Sequence, residues 1–448
     1  MQGGVLFFAA QAALALLGAG AAWHPRVRGL SLPARLSVAW GAGAVALTIE
    51  ATAYSLVGIR WSIANLALPL LVLSAAAALA WRRAPVKPGG PLPRGGAIAG
   101  SAFAVGAAAV LYLLVCLGSS AATSVDYLLF WGVKAVRFAS NRGIDASFLR
   151  FPYAIHASLD YPPLVPIVHA WGCLLAGQLP WTAVPPVSAL PLVAAIPIVW
   201  ERLRRRIGEQ GAAAVAALWT AAISISAVYS FSGGGAEPMI VFFETVAVVW
   251  LLTESDGESR FVPVLFLCGA ALTKVEGLAA VVLVALGCWV RDRRRGSRRD
   301  AARALGLLLV PLAAVGVWFL YQRSRSLEVG YRAHGDALVV YLDWFGTVVR
   351  ELLRNLNAGS FWIPWAFAAA IVLWRIRSWR AAAPALTLAI GLLAFLAFDY
   401  LHDKDDPTER IGWTAPRVTQ SALSAMILAA GVLSLSRSPA SDAEAPSP

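Results

Sequence analysis

Apolar runs of about 20 residues recur along this chain, at roughly 3–23, 34–57, 61–81, 96–118, 182–200, 211–231, 236–253, 260–275, 277–290, 303–321, 358–374, 381–400 and 417–435. No other feature restricts the fold as much. Backbone N–H and C=O groups inside a bilayer must bond within the chain, and runs this long and this rich in Leu, Ala and Val suit helices rather than barrel strands. Composition agrees: of 448 residues 59% are hydrophobic and only 14% charged, where a soluble domain carries about one quarter charged residues. The sequence therefore predicts an all-α polytopic membrane protein with about 13 transmembrane helices, within a range of about 11–14. The first run has no basic segment ahead of it. Its Ala-Gly-Ala-Ala end imitates a cleavage site, but the run reads as a retained span.

The net charge of +12 raises the question of nucleic acid, and its placement answers it. Basic groups cluster between apolar runs: Arg26/Arg28/Arg35, Arg82/Arg83/Lys87/Arg94, Arg202/Arg204/Arg205/Arg206, Arg291/Arg293/Arg294/Arg295/Arg298/Arg299 and Arg375/Arg377/Arg380. This is the positive-inside pattern of cytoplasmic loops, with contact to anionic lipid as a secondary role. No nucleic-acid partner is expected. With these clusters in the cytoplasm, the opposite face receives loop 119–181, the Gly233-Gly234-Gly235-Ala236-Glu237 turn, Lys274-Val275-Glu276, and loops 322–357 and 401–416. The expected setting is the inner (cytoplasmic) membrane, with the chemistry-bearing loops facing the periplasm or exterior. One segment conflicts. If 161–178 crossed the bilayer, every later loop would invert, so this Pro-rich stretch with His169 is expected to be a juxtamembrane or re-entrant helix.

Two loops of that face carry amphipathic patterns expected to lie in the interface plane. Residues 126–139 set Tyr127, Phe130, Trp131 and Val133 beside Lys134 and Arg137, and 336–354 set Tyr341, Trp344, Phe345 and Val348 against Asp343, Arg350 and Arg354. Residues 436–448 read as a disordered cytoplasmic tail. Cys116, Cys173, Cys268 and Cys288 lie in or beside apolar runs without metal-ligand spacing and read as buried free thiols.

The ionisable groups of the outer face give the candidate site. Asp126 follows the fourth span; partial desolvation there raises a carboxylate's pKa and suits a general base, while Ser124-Val125-Asp126 before a helical run also suits an N-cap. Glu237 follows three glycines and precedes Pro238, which fits either a helix-start acid or a second acid beside a turn open to substrate. Lys274 and Glu276 interrupt an apolar stretch from 261 to 290, as functional intramembrane charges do, or as a short turn with snorkelling side chains does. His156, Asp160 and Tyr161-Pro162-Pro163 form a rigid polar lead into an apolar helix. Arg417 opens the last span after an acidic loop, placed to grip a phosphate or simply solvated. Asp403, Asp405 and Asp406 lack the spacing of a cation loop, so no metal and no cofactor is expected.

In order along the chain, Asp126, Trp131 and Lys134-Ala135, then His156-x-x-x-Asp160-Tyr161-Pro162-Pro163-Leu164-x-Pro166, resemble the GT-C glycosyltransferases. The nearest subset is the bacterial enzymes related to protein O-mannosyltransferases and lipid A aminoarabinose transferases. The Gly-Gly-Ala-Glu237-Pro-Met turn resembles their second acidic motif, where Asp is usual. Leu272-Thr-Lys274-Val-Glu276-Gly277-Leu resembles a Thr-Lys-x-Glu-Gly-Leu motif of the group, and Trp413-x-x-x-Arg417-x-x-Gln420 a late one, here without its histidine. The resemblance covers roughly 96–435, leaving 1–95 as additional N-terminal helices. It implies an inverting transfer of a sugar from a polyprenyl-phosphate donor to a hydroxyl of a glycan, lipid or protein. Asp126 would be the general base, Arg417 and Lys274 would sit at the lipid phosphate, and Lys134, His156, Asp160, Tyr161, Glu237 and Glu276 would shape the substrate site. A transporter or flippase of lipid-linked sugars is the alternative; it predicts charges deep within broken helices, and Glu50 and Glu244 are the notable mid-span acids.

Overall fold

The computed structural model describes residues 2–84, 97–119, 124–151, 161–230, 233–255, 258–293, 298–327, 339–357, 362–402 and 406–435. His156, Asp160, Asp403, Asp405 and the tail 436–448 lie outside them. The described residues are helical throughout. The principal helices are α1 (Gln2–Leu17), α2 (Leu32–Val57), α3 (Ile63–Arg82), α4 (Ala97–Ser119), α5 (Gly132–Asn141), α6 (Leu164–Ala176), α7 (Leu190–Tyr229) and α8 (Glu237–Leu252). They continue with α9 (Phe261–Thr273), α10 (Val275–Asp292), α11 (Arg298–Ser324), α12 (Phe345–Asn357), α13 (Trp362–Trp374), α14 (Ala383–Tyr400) and α15 (Thr408–Leu435). Seven helical stretches among the described residues are long and apolar enough to cross a bilayer, and four shorter apolar helices accompany them.

The centre of the bundle is α8. Apolar on every side apart from Glu237, Glu244 and Thr245, it has no face to offer water, and all its residues are buried. Aromatic rings lock it to its neighbours: Trp40 of α2 and Phe266 of α9 lie 5.4 and 5.3 Å from Phe242, and Phe266 lies 5.7 Å from Phe243.

The expected runs 182–200 and 211–231 join in α7, which reverses at Gly208. A straight helix of 40 residues would separate its ends by about 60 Å. Yet Gly234 N–H donates to Ser188 Oγ at 2.8 Å just before α7 begins, and Ser230, which follows its end, is only four residues from Gly234. Gly208 turns the chain with φ 79° and ψ 172°, a conformation open almost only to glycine. Gly208→Ala is expected to cost about 1–3 kcal/mol in a reversible denaturation experiment, although open space surrounds the position. An unchanged midpoint would show that the reversal is not held at this residue.

Helices α9 and α10 form a second hairpin. Arg260, just before α9, bonds Asp292 at the end of α10 at 2.5 Å, while Lys274 alone separates their other ends. Charged groups thereby collect at the two ends of α8, α9 and α10. At one end Arg202 bonds Glu258 at 3.0 Å and Arg291 bonds Glu254 at 2.7 Å. The other end carries Glu237, Lys274 and Glu276.

Helix α6 bears on the disputed segment. Gln11 donates to Val168 O at 3.0 Å, Trp171 to Ala10 O at 2.9 Å, and Gly3 lies against Gln178, so α6 runs antiparallel to α1. Helix α1 itself reaches only the middle of α2, where Leu14 O meets Gly43. The start of α6 therefore lies at mid-depth in the bundle, and its 13 residues rise about 20 Å toward Gly177. At 13 residues α6 is shorter than the helices long enough to cross a bilayer, as either a juxtamembrane or a re-entrant helix would be.

The first amphipathic segment is helical from 125 through 141, so the expected 126–139 is helical in full, while the second begins later than expected. The second is α12, beginning at Phe345 after a single turn at Leu342–Trp344; Val348 and Leu352 pack on Leu396, Tyr400 and Ile411 at the α14–α15 turn. The first is α5, preceded by a widened turn in which Gly132 N–H reaches back to Tyr127 O. Its buried side carries Gly132, Lys134, Ala135 and Phe138, so Lys134 belongs to the covered face rather than the polar one. Cys173, Cys268 and Cys288 are buried, Cys116 is partly covered, and all are free thiols.

Candidate functional site

The site is built where the widened turn before α5, the lead into α6, the start of α8, the α9–α10 apex and the upper part of α15 converge. Asp126 has helical backbone angles and makes no side-chain cap bond, so the N-cap reading fails. Its carboxylate instead forms an ion pair with the Arg417 guanidinium, a charge-assisted contact between two full charges. The two side chains are 24% and 20% exposed. Burial raises the Asp126 carboxyl above the ordinary aspartate range; Arg417 opposes this and Glu237 reinforces it.

Arg417 does not open the last span. Asp406 accepts the Thr408 N–H at 2.9 Å, Pro407 and Glu409 suit a helix start, and α15 is already under way nine residues before Arg417. Arg417 is thereby carried down the helix to the level of Asp126, which also excludes a solvated role. Gln420, Ser421 and Ser424 follow at the three- and four-residue steps of one helix face. Gln420 donates to Ser230 Oγ at 2.7 Å, and Ser424 joins Trp219 and Thr245, each at 2.7 Å. Trp413, by contrast, is 70% exposed and stays outside the site.

Lys274 is the centre of a buried ion network. The break between α9 and α10 leaves its backbone extended, at φ −150° and ψ 165°. Its ammonium reaches Glu237 Oε1 at 3.3 Å and Glu276 Oε1 at 3.2 Å. Burial disfavours this charge, and the two carboxylates on either side of it offset that cost. Snorkelling is therefore ruled out for Lys274 and Glu276. Among the described residues Glu237 Oε2, Glu276 Oε2 and Arg417 Nε are buried without a hydrogen-bond partner, which leaves the site with unspent polar capacity.

Cations and rings connect this network to α5. Lys134 lies 5.4 Å from the Trp131 ring, Trp131 stacks on Tyr161 at 5.6 Å, and Lys274 lies 5.3 Å from the Tyr161 ring. Five of the residues singled out in the sequence, Asp126, Glu237, Lys274, Glu276 and Arg417, thus form one charged cluster, and Lys134 and Tyr161 join it through aromatic faces. The glycines before Glu237 have a different purpose from the one expected. Gly234, at φ 78°, lies under the Tyr127 ring, where a Cβ would approach to 2.5 Å, and its carbonyl faces His169 Nε2 at 3.3 Å. The turn is covered by protein and open to no substrate.

A small cavity of about 10 Å3, lined by Glu237, Glu244, Lys274, Glu276, Arg417 and Ser421, forms the polar floor of the site; it is the size of about one water. Glu244 and Ser421 are its unanticipated members. Their signal was present: Glu244 is two helical turns from Glu237 on the same face of α8, as Ser421 is one turn from Arg417. No three His, Cys, Asp or Glu side chains converge as metal ligands among the described residues.

The cluster can take up a proton at the partly exposed Asp126 and bind an anion through Arg417 and Lys274. No family model, curated protein or solved structure matches the chain.

Proposed function

We propose that this protein is an inverting membrane glycosyltransferase that moves a sugar from a polyprenyl-phosphate donor to an acceptor hydroxyl at the outer face of the membrane. In this reading about 13 helices cross the bilayer and 96–435 forms a GT-C-like core. The observation that carries it is the partly exposed Asp126–Arg417 pair standing over the buried Glu237–Lys274–Glu276 network. A base and an anion-binding cation held in contact form a resting pair that an arriving phosphate can divide. The donor phosphate takes Arg417, Asp126 is released, and its carboxylate removes the acceptor proton as the acceptor oxygen attacks the anomeric carbon. The bond from that carbon to the phosphate oxygen breaks, and Arg417 and Lys274 stabilise the departing lipid phosphate. A sugar does not fit the floor cavity of about 10 Å3, so it lies against the exposed edge of the Asp126–Arg417 pair.

The pH profile tests the base. Asp126 works when ionised, and its pKa is raised by burial, so activity falls as pH drops through a value above that of ordinary aspartate. Arg417→Gln removes the opposing cation and moves the acid limb of the residual activity further up. A limb in the ordinary aspartate range, or one moving down, would remove Asp126 from this role.

A transporter of lipid-linked sugars is the second reading, supported by Glu244 lying buried deep in α8 below a broken helix pair. Sugar transfer by detergent-solubilised protein, with no sealed compartment, decides against it.

A further inference from the structure

The far end of the bundle holds a larger cavity, of about 600 Å3, within the range of small-ligand sites. Arg26, Arg202, Arg205 and Arg206 line it, with Glu254 and Glu258. The two acids are already committed. Arg202 is buried over the Trp250 ring at 4.3 Å and bonds Glu258 at 3.0 Å, while Glu254 is held by Arg260 at 2.9 Å and Arg291 at 2.7 Å. Among the described residues none of Arg26, Arg205 and Arg206 is ion-paired. Three guanidinium groups, Arg205 and Arg206 exposed and Arg26 half-buried, thus share one cavity without an ion-pair partner among the described residues, and an anion entering it relieves their mutual repulsion.

The wall of the cavity says what kind of anion. Ala84, one of its lining residues, follows α3, and Arg28 fastens that helix end by donating to Arg82 O at 2.6 Å and Ala84 O at 2.5 Å. Helix α3 turns Leu68, Leu71, Val72, Leu73 and Leu79 outward. Beside the mouth, Trp81 and Phe261 close around His24, with ring centroids 4.7–5.3 Å apart. An anion in this cavity thus adjoins an apolar, lipid-facing helix and an aromatic cluster of the kind found at membrane interfaces. We propose that the cavity binds a phosphate ester through Arg26, Arg205 and Arg206, its source being the headgroup of an anionic phospholipid whose acyl chains run along α3. This site lies at the opposite end from the Asp126–Arg417 pair and does not depend on the function proposed for it.

The test uses the full-length protein in detergent, with binding of dioctanoyl phosphatidylglycerol, dioctanoyl phosphatidylcholine and inorganic pyrophosphate followed by native mass spectrometry. Phosphatidylglycerol is expected to bind at least about tenfold more tightly than the zwitterionic lipid, a comparison that needs no variant. Arg26→Gln/Arg206→Gln is expected to weaken phosphatidylglycerol about ten- to thirtyfold. Arg375→Gln/Arg377→Gln, which removes the same charge elsewhere, should change it less than about twofold. Pyrophosphate binding that shows the same dependence on Arg26 and Arg206 without lipid binding would retain the phosphate site and replace its source. Equal binding of the two lipids, equal weakening in both variants, or binding of neither anionic probe would overturn the proposal.

Discussion

Asp126→Asn is expected to lower sugar transfer by about 10²–10⁴-fold, the usual contribution of a positioned general base, while the protein still inserts and folds. The amide preserves the shape of the side chain and can still meet Arg417, and Glu237 remains as the guanidinium's second source of negative charge. The loss is therefore one of proton acceptance rather than of structure. The measurement is a comparison of envelope glycans and lipid-linked sugars, by mass, between a deletion strain and the same strain carrying either the wild-type gene or the Asp126→Asn gene. The deletion should accumulate a polyprenyl-phosphate sugar and lack one glycan substituent. Wild type should reverse both; the variant, at equal abundance in the membrane, should reverse neither. Full restoration by the variant would end the mechanism, whereas a deletion with unaltered glycans would end the functional reading itself.

Lys274→Met should produce the largest loss of stability of any single substitution in the site. It leaves Glu237 and Glu276 facing each other with side chains only 3% and 14% exposed, and breaking a buried pair in this way costs about 3–5 kcal/mol. The companion Lys274→Met/Glu237→Gln/Glu276→Gln removes the stranded charges and should recover most of that loss, because a buried ion network exceeds its neutral replacement by little. Thermal unfolding in detergent separates the cases. If the triple variant is as unstable as the single one, lysine packing against Tyr161, rather than charge, is what holds the apex.

Much of this architecture was legible in the sequence because its signals are local. Apolar runs mark helices, arginine clusters mark one end of them, and the charge count alone brought Asp126, Glu237, Lys274, Glu276 and Arg417 to a common face. What escaped was set by contacts remote in sequence. Ser124-Val125-Asp126 has the form of a helix cap, and only the arrival of Arg417 makes Asp126 half of an ion pair. The glycines before Glu237 resemble a turn left open for a ligand, and only the Tyr127 ring shows that protein fills the space. Lys134 sits in an amphipathic pattern that assigns it to water, yet the Trp131 face draws it inward. Glu244 and Ser421 were readable as helix-face partners of Glu237 and Arg417, but a lone acid in an apolar run fits a transport pathway equally well until its neighbours are known.

The pairing of Asp126 with Arg417 also sets the order in which the charged cluster can assemble. The partners are 291 residues apart, and Glu237 and Lys274 lie between them in the chain. A growing chain therefore carries Asp126, and later Glu237 and Lys274, before Arg417 is made. The emergence of α15 supplies the missing charge, so a chain cut short before Arg417 has most of the described helices and lacks the Asp126–Arg417 pair. Assembly of the charged cluster therefore waits on α15.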